Sequence, residues 1–428
     1  MLFRNIDLLD ENFELQRGQY VGVKDGVIGY IGAVAPAEDY GEVYDGRHRL
    51  LLPGFYNVHS HAPMTLLRGY AENLPLQRWL NEKVFPFEDK LSDEAAYYGT
   101  QLAIAEMLAS GTVSFTDMYF FLDDMTKAIL ESGIKCNLSR GLTVFDDSGY
   151  EQTAAYQDNL RLLDEWNGMN GGRLLADLCI HGEYTSTPKV VEAVAAQAKA
   201  RGARMHIHLS ETQAEHEECK QRHGMTPAAY MQARGVFDVP TTAAHCVWLE
   251  GEDFDILKDH GVTVACCPAS NLKLASGYAN VPRMLEMGIN VALGTDGAAS
   301  NNNLNILQDL YLFAVAYKGY YHDSTLITPA QALYAATRAG AISQGRGDCG
   351  RLAVGCRADL CVINTDTPQF IPMTDAACNV VYAAQGADVC LTMVDGEVLY
   401  RDGTYTTIDI EKVKAEAQRH TDAILRSL

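Results

Sequence analysis

The sequence predicts an α/β protein built on a TIM-type (β/α)8 barrel, and three observations carry that expectation. Eight short apolar runs alternate with amphipathic helical stretches through the middle of the 428-residue chain, the rhythm of a parallel sheet whose strands are joined by helices. Histidines and carboxylates stand at the C-terminal ends of several of those runs, where such a barrel gathers its reactive groups. Both chain ends read instead as antiparallel β.

Taken in order, the chain opens with "VGVKDGVIGYIG", two alternating runs joined by Asp25-Gly26, a hairpin signal. The eight central runs are "LLLPGFYNVHSH", "TVSFTDM", "IKCNLSRGL", "LADLCIHGEY", "ARMHIHLSE", "TTAAHCV", "VTVACCPAS" and "INVALGTD". The clearest helix between them runs from Ser92 to Ser110. Ser92 is its N-cap, Asp93 and Glu94 suit its positive end, Leu102, Ala105 and Leu108 are among its apolar positions, and Gly111 stops it. Near the far end, "LCVIN" and "CLTMVDGEVLYRDG" return to the hairpin pattern, with Asp395-Gly396 as the turn. An open doubly wound sheet is the competing architecture, but no G-x-G-x-x-G follows an early strand.

Composition narrows the function classes. With 47% hydrophobic and 21% charged residues the chain is ordinary globular material, enough for a large domain or a large and a small one. A formal charge of -21 repels phosphate and argues against nucleic acid or an anionic membrane surface as partner. Small neutral or cationic substrates stay open, as does assembly into a homo-oligomer. The 11 cysteines have no framework spacing. With no signal-like start in "MLFRNIDLLDENF" and no apolar stretch of membrane-spanning length, the expectation is a reduced, cytoplasmic, soluble protein.

The motifs then suggest chemistry. His59 and His61 alternate at the end of the first run, so in a strand they share a face. "HIHLSE" brings His206, His208 and Glu211, "AAHCV" brings His245 and "LGTD" brings Asp296. Any one of these histidines alone is more often a core or loop residue than a ligand. Closure of the barrel would bring His59, His61, His208 and Asp296 around one axis. That is an N/N/N/O set with room for water, as catalytic zinc or iron requires. His208, nearer the strand end, is assigned to the metal and His206 to packing or support of a ligand, with His206 as the ligand if the strand is bulged. A divalent metal, Zn2+ before Fe2+, would acidify its bound water and create hydroxide. Asp296 would take a proton from that water, and His245 would hold or polarise the nucleophile. Glu211 would exchange a proton with a ring nitrogen beside the attacked carbon. The net reaction is hydrolytic deamination of an aminated heterocycle; the simpler role for Glu211 is helix-start capping at "ETQAEHEECK".

The stretches "PGFYNVHSHAPMTLLRGYAENLPLQRWL", "FTDMYFF", "HIHLSET", "AAHCVWL", "CPASNLKLASG", "LGTDGAASNNNLN" and "GRLAVGCRADLCVIN" resemble the amidohydrolase superfamily, and within it the 5-methylthioadenosine/S-adenosylhomocysteine deaminases. The resemblance spans nearly the whole chain. It implies a distorted (β/α)8 barrel over residues 53–352 and a small β-sandwich from residues 1–52 and 353–428. It also implies an adenosine-type substrate attacked at C6, with Trp79 near the 5′ substituent, Glu88 on the ribose hydroxyls and His181 on the purine. Arg140 could hold the carboxylate of S-adenosylhomocysteine, against the ordinary reading of an arginine paired with an internal acid. Fourth-strand "LADLCIHGEY" lacks the lysine that bridges two metals in some amidohydrolases, so one metal is expected. "TVFDDSGYEQ" carries Asp146 and Asp147 where relatives can place a second arginine. Methylthioadenosine, adenosine and 5′-deoxyadenosine therefore rank above S-adenosylhomocysteine. Guanine or triazine hydrolases of the same superfamily are one rival, and a non-catalytic scaffold is another. In "SNNNLN", Ser300 and Asn301 to Asn303 are expected to hold backbone groups or helix ends.

Overall fold

Asp25 and Gly26 both adopt left-handed backbone (φ 52° and 78°), which lets a two-residue turn follow the twist of its strands. The structure is a computed structural model and describes all 428 residues. The turn joins β2 (Leu15–Lys24) to β3 (Val27–Gly32), after β1 (Leu2–Leu9) and before β4 (Val43–Asp45) and β5 (Arg49–Pro53).

Eight parallel strands follow: β6 (Phe55–Ser60), β7 (Thr112–Tyr119), β8 (Lys135–Arg140), β9 (Leu174–Ile180), β10 (Arg204–Leu209), β11 (Thr241–His245), β12 (Thr263–Cys266) and β13 (Val291–Leu293). They pair in sequence order, each strand with the next, which is the layout the βα alternation predicted. The seam between last and first strands is closed mainly by side chains. Thr295 N–H donates to Asn57 Oδ1 at 3.0 Å, Asn57 Nδ2 donates to Thr295 Oγ1 at 2.7 Å, and Asp296 N–H reaches the His59 carbonyl at 3.0 Å. The expected helix is present as Asp93–Ala109, with Ser92 Oγ accepting from Ala95 N–H at 3.2 Å.

After the barrel come β14 (Leu360–Asn364), β15 (Val389–Val394), β16 (Glu397–Arg401) and β17 (Thr404–Tyr405). Both chain ends meet in one nine-stranded mixed sheet, in the order β17-β16-β15-β14-β5-β1-β2-β3 with β4 beside β1. The run "LLLPGFYNVHSH", a single unit in the sequence, is therefore two strands: β5 pairs with β14 and β6 with β7. Gly54 is the switch between them. A β-carbon there would meet Val113 at 2.2 Å, so only glycine lets the chain cross from one sheet to the other.

A buried charge cluster joins the two bodies. Lys135, at the start of β8, lies 2.6 Å from Asp359 and 2.7 Å from Asp395, and Arg173 and Arg357 also grip Asp395. The last helix, Ile410–Ser427, lies on the barrel, with Thr421 Oγ1 donating to the Leu66 carbonyl at 3.1 Å. No helix is long and apolar enough to cross a membrane.

Candidate metal centre and cavity

The ends of β6, β10, β11 and β13 meet at one mouth of the barrel, and the backbone there is bent to aim side chains inward. Ser210, His245 and Asp296 adopt left-handed φ values of 47°, 73° and 60°, a conformation side-chain-bearing residues hold only where surrounding contacts enforce it. The donor atoms of His59, His61 and His208 lie within 4.8 Å of one another, and so do those of His59, His245 and Asp296.

Each imidazole is oriented through its other nitrogen. His61 Nδ1 donates to the Met118 carbonyl at 2.6 Å and His208 Nδ1 to the His181 carbonyl at 2.7 Å. His245 Nδ1 meets Asn271 Oδ1 at 2.9 Å, and His59 Nδ1 meets His206 Nε2 at 2.9 Å. A proton on Nδ1 leaves Nε2 as a bare lone pair, the form in which histidine binds a cation. His59 Nε2 is fully buried and has no hydrogen-bond partner. His206, fully buried on β10, supports His59, while His208 faces the shared centre.

Asp296 completes the set. Its Oδ1 lies 3.2 Å from His61 Nε2 and 3.6 Å from His59 Nε2. Ser270 and Ser300 both donate to its Oδ2, at 2.6 and 2.8 Å. Burial works against ionisation, yet the facing histidines hold the Asp296 carboxyl well below the usual carboxylate range. Burial, helped by the neighbouring histidines, pushes the His59 imidazole down to about 3 and holds His208 well below its ordinary value, while Asp296 outweighs burial at His61 and lifts it to about 9. The pocket thus stabilises one positive charge beside Asp296 and offers bare nitrogens around it. A divalent cation fits both features.

His61, His208 and Asp296 line a cavity of about 630 Å³ that also holds Trp79, Glu88, His181, Glu211 and His245. Glu211 is buried, its Oε2 3.9 Å from His245 Nε2, and burial raises its carboxyl above the ordinary value. Burial also pushes Glu88 up to about 7, against the pull of a 2.5 Å hydrogen bond donated by Tyr119. Trp79 is buried with its indole N–H unpartnered, and burial keeps His181 neutral with its value near 4. Arg140 is absent from the cavity lining. Its guanidinium stacks 5.1 Å over Phe120, donates to the Gly141 carbonyl at 2.6 Å and lies 3.9 Å from Asp158.

Sequence reasoning missed Tyr119, Ser270 and Asn271, whose roles depend on partners far along the chain. It also missed Asp117, which accepts from Ser60 Oγ and Ala62 N–H at 2.7 Å each and fixes the chain around His61. The one local signal for Asp117 was a carboxylate at a strand end in "FTDM". Ser300 does more than the backbone role expected of it, since it also donates to Asp296. Asn301 holds the Thr295 carbonyl, as expected of that loop, and Asp309 as well.

The amidohydrolase family model matches residues 50–399. A curated relative from Syntrophomonas wolfei subsp. wolfei, named 5-methylthioadenosine/S-adenosylhomocysteine deaminase, is 41% identical over 98% of this chain and 97% of its own length. The chain belongs to the amidohydrolase family. Within it, the chain groups with the 5-methylthioadenosine/S-adenosylhomocysteine deaminases, and by that membership it is a hydrolytic deaminase. A crystal structure of an adenosine deaminase from Xanthomonas campestris with bound zinc is similar, with a TM-score of 0.93 and 28% identity over 100% of this chain and 98% of that one. A guanine deaminase from C. acetobutylicum, solved with guanine bound, has a TM-score of 0.84 at 20% identity over 93% of this chain and 99% of its own, and shares the fold.

Proposed function

We propose that this amidohydrolase converts an adenosine-type nucleoside to its inosine-type counterpart and ammonia, with one divalent metal held by His59, His61, His208 and Asp296. The observation that carries the reading is a buried acid, Glu211, set beside His245 among the converging donor atoms of His59, His61, His208 and Asp296. Zinc is the metal the reading favours, in keeping with the zinc of the Xanthomonas adenosine deaminase. When bound, such a cation supplies an acidified water next to the substrate.

Glu211 delivers a proton to the ring nitrogen beside C6, which opens the aromatic system to addition of water. Burial raises its proton affinity above the ordinary carboxyl value, the direction a proton donor needs. Asp296 accepts the proton that water gives up and passes it toward the departing amine. His245, fixed by Asn271, points its Nε2 at the nucleophile. Ammonia leaves, the added hydroxyl returns its proton to Glu211, and the carbonyl forms. Glu88 accepts the ribose hydroxyls, Trp79 covers the sugar's 5′ side, and His181 abuts the purine.

Glu88 in the cavity lining favours a nucleoside over a free base such as guanine, because a base has no hydroxyls to engage it. The full donor set argues against a scaffold. Following the ultraviolet change on adenosine, methylthioadenosine and guanine, with and without chelator, tests the reading. Chelator-sensitive turnover of the nucleosides is the expected result; inert nucleosides beside active guanine would overturn it.

A further inference from the structure

We propose that the cavity sorts adenosine-type nucleosides by charge at the 5′ position, accepting neutral or cationic substituents and rejecting anionic ones. The inference rests on the deaminase reading of the same cavity and adds a substrate class to it.

The lining contains no lysine and no arginine. Its charged side chains besides histidine are four carboxylates: Glu88, Asp89, Glu211 and Asp296. The metal-binding side chains rise from β6, β10 and β13. Between β6 and β10 in the barrel come β7 and β8, and the segments after these two strands line the cavity together with the helical stretch that carries Trp79 and Glu88. These segments form an aromatic rim: Phe145 is 75% exposed and Phe85 45% exposed, yet both line the cavity along with Phe120 and Phe121. Asp89 lines the same rim and is exposed, and Asp146 and Asp147 directly follow Phe145.

A 5′ substituent leaving the ribose toward this rim meets apolar faces and negative charge. An anionic tail would lose its hydration there and gain no cation in return. Arg140, the residue the sequence offers for that task, faces Asp158 and spends one N–H on the Gly141 carbonyl. A cationic tail meets the reverse: aromatic faces attract it and the carboxylates of the rim complement it. Neutral thioethers bind through the apolar faces alone. The covalent chemistry at C6 is unchanged, so the sorting acts on binding and orientation of the substrate.

Three 5′-thioadenosines of equal length test this on the metal-loaded enzyme: a propylthio, an aminoethylthio and a carboxymethylthio compound. The expected kcat/KM values are similar for the first two and lower by roughly tenfold or more for the third, with the gap shrinking as salt screens the rim. Asp89→Lys should narrow that gap. An anionic compound turned over as well as the neutral one, or a gap untouched by both salt and Asp89→Lys, would overturn the inference alone. Turnover of none of the three, with adenosine also inert, would overturn the deaminase reading and this inference with it.

Discussion

His245 presents Nε2 to Glu211 Oε2 at 3.9 Å while Asn271 Oδ1, 2.9 Å away, holds its opposite nitrogen. The two functional groups thus stand side by side in the cavity lining. Glu211→Gln keeps the shape of the acid and removes its proton chemistry. The expected loss in kcat is about 10²–10⁴-fold, with metal content unchanged by elemental analysis. Full activity in this variant would remove Glu211 from the mechanism.

The donor set makes a separate demand. His208→Ala and chelation should each empty the centre and abolish turnover, and zinc should restore the chelated wild type but not the variant. Metal content and rate are measured on the same samples. Metal-free protein that still deaminates adenosine would contradict the assignment.

Glu88 gives a pH signature. Its folded-state value of about 7 lies above the ordinary carboxylate range because of burial. It is charged, and fit to accept two ribose hydroxyls, only above that value. The kcat/KM for adenosine should therefore rise as pH increases through about 7. Glu88→Gln should flatten that limb, and a limb unchanged in the variant would assign it elsewhere.

Lys135 reports on stability. Its side chain is 3% exposed and neutralises Asp359 and Asp395 at the junction of barrel and terminal sheet. Lys135→Ala leaves those carboxylates short of a counter-charge at a cost of about 3–5 kcal/mol, to be read from denaturant midpoints. Asp395 resists the effect of burial: hydrogen bonding to Arg357 and the Lys135 charge hold it down to about 2. A lowered carboxyl adds stability that is present above its unfolded value and is lost as pH falls toward about 2. Wild type should lose stability in that acid window, and Asp395→Asn should lose less across it.

Much of the centre was legible because its signals are local. The two-residue spacing of His59 and His61 puts both on one face of a strand, and Glu211 follows His208 by three residues wherever the strand ends. The placing of these motifs at the ends of successive apolar runs carried the barrel, and with it the convergence of β6, β10, β11 and β13. The division of "LLLPGFYNVHSH" was harder to read, since an unbroken apolar run fits one long strand or two, and Gly54 acquires its meaning only against Val113.

The amino-acid order by itself determined the alternation of strands and helices, the two terminal hairpins and the identity of the convergent histidines and carboxylates. Those follow from backbone periodicity and turn chemistry within a few residues. Tertiary packing alone decided that Arg140 turns to Asp158, that Tyr119 meets Glu88, and that Ser270 and Ser300 grip Asp296 from two different segments. Hydrogen bonds and burial depend on which distant segments the closed barrel brings within about 3 Å, and no local pattern encodes that proximity.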